Sequence, residues 1–96
     1  MIRRDGTRLV LDGPVTLANV SQLIEESKAH LAQVREVDLG EVTEVDSSLL
    51  AVLIAWLREA NAAGRPLAFS RLPEDLRTLA QLYGVAPLLP LEAAPR

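Results

Sequence analysis

Ninety-six residues are enough for one domain and too few for two. A hydrophobic content of 49% excludes a mainly disordered chain. A net charge of -3 argues against a nucleic-acid footprint, which needs clustered Lys and Arg. With no cysteine, the chain has no disulfide, zinc–thiolate site or cysteine nucleophile. Phe69, Trp56 and Tyr83 are the only aromatic residues, so the core must come from Leu, Val, Ile and Ala.

The first segment, Met1 to Gly6, has no apolar stretch behind its charges and does not read as a signal peptide. Arg3, Arg4 and Arg8 form a small basic cluster, read as solvated or as a mild partner contact. Thr7–Asp12 reads as a strand stopped by Gly13-Pro14, because proline cannot continue a central ladder. Thr16 then suits the N-cap of a first helix of about four turns. Its apolar stripe would be Leu17, Val20, Ile24 and Leu31, widened by Leu23 and Val34. His30 is the only histidine and falls on the polar side of this helix. It has no second histidine or cysteine to make it a metal ligand or a base.

Val37–Gly40 reads as a short second strand followed by an acidic loop. Asp46-Ser47-Ser48 then opens a second helix running to about Ala63, with Gly64 at its C′ position. Its first half, Leu49 to Leu57, is apolar nearly all round and should be buried. That run is far shorter than the roughly 20 residues of a membrane span. Leu67–Ser70 reads as a third strand. Pro73, Glu74 and Asp75 start a third helix with Leu76, Leu79 and Tyr83 on one face, closed by Gly84. Val85–Leu91 is apolar but broken by Pro87 and Pro90, either core or partner surface. Residues 91–96 should fray.

This alternation predicts an α/β fold: a small, mostly parallel sheet covered by helices, with right-handed crossovers. Functional groups of such sheets gather at the carboxyl ends of strands, which singles out Gly40–Ser48. Asp38, Glu41, Glu44 and Asp46 suggest a cation site, but their spacing fits no EF-hand loop. Ser47 and Ser48 have no base to make them nucleophiles. No Gly-x-Ser-x-Gly, phosphate loop or Gly-x-Gly-x-x-Gly is present. The chain therefore reads as non-catalytic, without metal or cofactor. From the residues alone, Ser47 and Ser48 are either helix caps or hydroxyls offered to a partner.

The stretch Val37-Asp-Leu-Gly-Glu-Val-Thr-Glu-Val-Asp-Ser-Ser-Leu-Leu50 resembles the central signature of STAS domains. These include the anti-sigma-factor antagonists and the cytosolic domains of sulfate transporters. Leu11–Val20, Gly64–Leu67, Leu72–Arg77 and Leu82–Val85 resemble the branch that serves a bacterial ABC transporter of phospholipids. The resemblance implies a single STAS-type domain over residues 1–96, with the fold of the anti-sigma-factor antagonists. It implies a non-catalytic cytoplasmic subunit that binds the transporter's ATPase and, through it, a membrane permease. The alternative it carries is an antagonist partnered by an anti-sigma factor with serine-kinase activity. Ser47 matches the hydroxyl after the motif's Asp, and Ser48 matches the position phosphorylated in the antagonists, with Ser47 as the alternative acceptor. The family usually has Gly where this chain has Leu49. Asp46, Ser47, Ser48 and Leu49 are together expected to face the partner.

Overall fold

The computed structural model describes residues 1–90. In chain order it contains β1 (Ile2–Asp5), β2 (Arg8–Val15), α1 (Val20–Ser27), β3 (Glu36–Val45), α2 (Ser47–Ala62), β4 (Ala68–Ser70) and α3 (Glu74–Leu82). Short 3-10 turns lie at Leu31–Gln33 and Ala86–Leu88. The sheet order is β1-β2-β3-β4, antiparallel between β1 and β2 and parallel elsewhere.

Period-two alternation assigns each strand residue to a face. Leu9, Val37 and Phe69 are in register across three strands, and so are Val10, Asp38 and Ser70 on the opposite face. The first row belongs to one core cluster with Leu23 of α1, Leu53 and Trp56 of α2, and Leu76 of α3. Val10 is buried but lies outside that cluster. All three helices therefore pack on one face of the sheet. For α1 and α2 this follows from the strand order, because successive right-handed crossovers moving the same way along a sheet leave their helices on one side. Each fully buried Leu or Val in that layer contributes about 1.5–3 kcal/mol.

Four expectations change. The Arg3–Arg4 segment is a strand, β1, joined to β2 by the two-residue turn Gly6-Thr7, with Gly6 at φ +63°. Positive φ at the first central residue of such a turn matches the twist of a hairpin. Next, β2 does not stop at Gly13-Pro14 but runs to Val15. Pairing with β1 ends at Leu11, and a register shift falls between Gly13 and Pro14, where a proline is tolerated. The acidic stretch after Gly40 is not a loop either. It is the second half of β3, held by pairing of Asp12–Val15 with Glu41–Val45.

The first helix is also shorter than its periodicity suggests. It spans Val20–Ser27 and buries Val20, Leu23 and Ser27, while Leu17 lies before it and is exposed. The turn Thr16–Asn19 captures the residues that periodicity assigns to the first helical turn. Helices α2 and α3 match expectation closely. Asn61 O accepts from Gly64 N and Ala60 O from Arg65 N, closing α2 by the paired bonds of a Schellman motif. Leu76 and Ala80 face the core from α3, but Tyr83, at its C-cap, is exposed. In the tail Leu89 is buried and Leu88 exposed, and Pro90 O accepts from Phe69 N at 2.8 Å on the outer side of β4. Residues 91–96, expected to fray, lie outside the described residues.

Candidate functional site

The parallel strands β2 and β3 end side by side, with Val15 opposite Val45. The chain leaves β2 through the turn Thr16–Asn19 and leaves β3 directly into α2. Asp46 is the only residue between β3 and α2, and its extended backbone (φ -141°, ψ -173°) makes it the N-cap. Its Oδ1 accepts from Ser48 N at 2.9 Å and from the Ser48 hydroxyl. Its Oδ2 accepts from Leu17 N at 2.9 Å. One carboxylate thus caps the buried helix and ties down the neighbouring turn. The Ser48 hydroxyl, then the Leu17 N–H, hold the Asp46 carboxyl below the usual aspartate range, against a smaller opposing effect of burial.

The residues singled out by the sequence separate into three roles. Asp46 is the cap. Ser48 is half-buried with its hydroxyl committed to Asp46. Ser47 is exposed, and none of the hydrogen bonds around Asp46 engages its hydroxyl. Leu49 is a correction. It is 0% exposed and sits in the core cluster, on the α2 face shared with Leu53, Trp56 and Ala60, and so does not face a partner. Helical geometry turns the chain inward two residues after Ser47.

The four carboxylates that the sequence groups together are also separated. Asp38, with its side chain 3% exposed, is forked by Arg71, Nε to Oδ1 and Nη2 to Oδ2, both at 2.9 Å. Its Oδ1 also accepts from Gly40 N at 2.9 Å. Burial pushes the Asp38 carboxyl up, and the hydrogen bonds from Arg71 and Gly40, with the charges of Arg71 and Arg8, outweigh it and leave it lowered. Glu41 pairs with Arg3 at 2.9 Å, and Asp46 serves the helix. Glu44 is exposed and belongs to none of the ion pairs formed among the described residues. Among the described residues no three His, Asp or Glu side chains converge as metal ligands, and no helix is long and apolar enough to cross a membrane.

Two participants are invisible to the sequence pattern. Leu17 reads there as part of a buried stripe, yet it stands at the tip of the turn held by Asp46. Arg71 follows β4 with nothing in its neighbourhood to announce Asp38 as its partner. The signal for Leu17 was Asn19, whose amide side chain competes with helix formation by bonding nearby backbone. Its Oδ1 accepts from Thr16 N and its Nδ2 donates to Pro14 O.

A mixed four-stranded sheet with three helices on one face, and a helix opening at an Asp-Ser-Ser cap beside the carboxyl end of β2, has the architecture of a STAS-type binding domain. The solved anti-sigma factor antagonist SpoIIAA in its unphosphorylated form is similar to it with a TM-score of 0.72 at 16% identity, covering 98% of this chain and 87% of that one. The Bacillus cell fate determinant SpoIIAA in the phosphorylated form gives a TM-score of 0.67 at 17% identity, over 98% and 90% of the two chains. The family model described as "Mlab, STAS domain" matches residues 2–90, so the chain belongs to the MlaB-type STAS family. No curated protein matches the sequence. STAS domains are generally non-catalytic binding domains.

Proposed function

We propose that this protein is a non-catalytic accessory subunit. It binds and regulates the cytoplasmic ATPase, MlaF-like, of an ABC transporter that traffics phospholipids and maintains outer-membrane lipid asymmetry. It would sit in the cytoplasm, peripheral to the inner membrane through that ATPase and its permease. The match to the MlaB-type model over residues 2–90 carries the reading. The site supports it: Ser47 is an exposed hydroxyl at the head of a helix capped by Asp46. In this reading Asp46 and Ser48 shape the surface and Ser47 touches the partner.

The alternative is an anti-sigma-factor antagonist switched by phosphorylation of Ser48, or of Ser47. The likeness to SpoIIAA supports the fold it requires. The local electrostatics favour the first reading. A phosphate on Ser48 would meet the Asp46 carboxylate that its hydroxyl now contacts, and that carboxylate is held ionised.

The test is co-purification of the tagged chain with the transporter ATPase, with Ser47→Arg as the disrupting variant. Recovery of the ATPase by the wild type, loss of it by the variant, and loss of lipid asymmetry in variant cells are expected. A wild-type chain that recovers no ATPase sinks the reading. Phosphoserine at residue 48 in cells, with release of a kinase partner by Ser48→Asp, would establish the alternative.

A further inference from the structure

Leu17 is a large apolar side chain, 77% exposed, on a turn held by hydrogen bonds. Every backbone N–H from Thr16 to Asn19 has an acceptor. Thr16 N donates to Asn19 Oδ1 at 2.9 Å, Leu17 N to Asp46 Oδ2 at 2.9 Å, Ala18 N to Thr16 Oγ1 at 3.3 Å and Asn19 N to Thr16 O at 3.0 Å. The Asn19 side chain fastens the turn to Pro14 O at 2.8 Å. A single exposed leucine is ordinary on a protein surface. A leucine at the tip of a fully bonded turn is different, because its backbone is already ordered and little freedom is left to lose on binding.

Two further features point to its occupant. The turn is joined through Asp46 to the first turn of α2, so Leu17 continues the surface that carries Ser47. Glu44, opposite Pro14 in the strand register, is exposed and has no cation among the described residues, whereas Glu41, three residues earlier, has Arg3. An apolar knob just past the end of β2, with an uncompensated carboxylate at the neighbouring end of β3, complements an apolar pocket edged by a lysine or arginine.

We infer that Leu17 is the apolar anchor of the partner-binding surface, seated in a pocket of a partner protein whose bordering cation meets Glu44. This rests on the reading of the chain as an ATPase-binding subunit and extends its partner surface to the turn before α1. The probe is the purified ATPase subunit of the phospholipid transporter from the same organism, titrated by calorimetry with the full chain. Leu17→Ser is expected to weaken binding at least tenfold, Leu17→Met to restore most of it, and Leu82→Ser, at an exposed leucine on α3, to leave it unchanged. Glu44→Lys is expected to weaken it about fivefold, and more salt should weaken the wild type more than Glu44→Gln. Circular dichroism should give superimposable melting curves for wild type and Leu17→Ser. If Ser47→Arg abolishes binding while Leu17→Ser stays within twofold, the inference is wrong and the functional reading stands. If Leu17→Ser weakens binding and Ser47→Arg does not, the Leu17 surface stands and Ser47 is not a contact. A wild-type chain that does not bind the ATPase overturns both.

Discussion

Arg71 forks onto Asp38 across the backbone of Gly40. Both N–H···O distances are 2.9 Å, and the fork joins the residue after β4 to the middle of β3. Arg71 holds φ +51°, a left-handed conformation that non-glycine residues adopt at a cost, and from it the side chain makes the fork. A Cβ added to Gly40 would overlap the guanidinium. The far end of an arginine can swing away, so Gly40→Ala should leave the sheet intact and open the fork instead. Arg71→Ala removes the fork outright and leaves the buried carboxylate only the Gly40 N–H and the more distant Arg8, which is the costlier way to break such a pair. Thermal melts should rank wild type above Gly40→Ala and Gly40→Ala above Arg71→Ala. Equal melting temperatures for all three would show that the fork contributes nothing.

Stability should fall with acid in a definite window. The Asp38 and Asp46 carboxyls both lie below the usual aspartate value of about 3.9 in the folded chain. The unfolded chain therefore binds more protons than the folded one in the acid range, and stability rises with pH there. The contribution is fully present above the unfolded value and disappears as pH drops through the folded ones. Urea unfolding should show a plateau above about pH 5 and a decline below about pH 4. Asp38→Asn should be less stable than wild type at neutral pH and show a shallower acid decline. A wild type that gains stability below pH 4 would contradict the roles given to both carboxyls.

The alternation of strands and helices after β1, the start and stop of α2 and α3, and the α/β architecture are legible in the sequence because they rest on local chemistry. Asp46 and the serines after it are residue types that start helices, and Gly64 follows the last polar turn of α2 as a closing residue should. What is not legible depends on neighbours in space. Residues 41–45 read as an acidic loop since nothing in their order reveals that Asp12–Val15 will pair beside them. Leu17 reads as core since periodicity is blind to a turn stitched by Asn19 and Asp46. At the candidate site, sequence misassigns the faces: Leu49 goes inside and Leu17 outside.

That exchange makes Leu49 a test of packing and not of recognition. Truncating a fully buried leucine costs about 2–5 kcal/mol, so Leu49→Ala should lower stability by that amount. Leu49→Gly adds about 1 kcal/mol of helix propensity. Leu49→Met keeps the volume and should cost less than about 1.5 kcal/mol. Partner affinity of Leu49→Met should equal that of the wild type. A tenfold loss of affinity in that variant, with stability retained, would put Leu49 back at the interface.

Asp46 separates the cap from the tether, because its two oxygens do different work. Asp46→Ala loses both and should cost about 1 kcal/mol as a lost N-cap. Asp46→Asn keeps an oxygen for Ser48 N but turns an NH2 toward the Leu17 N–H, which then has no acceptor. Asparagine is as good an N-cap as aspartate, so at neutral pH this variant should be more stable than Asp46→Ala while still losing the contribution of the charged carboxylate. Amide exchange at Leu17, followed by NMR, should quicken markedly in Asp46→Asn while exchange within α2 stays slow. If Leu17 is presented to a partner by this bond, affinity for the ATPase should fall in step with the faster exchange. Unchanged exchange at Leu17 would mean that the turn holds its shape without Asp46.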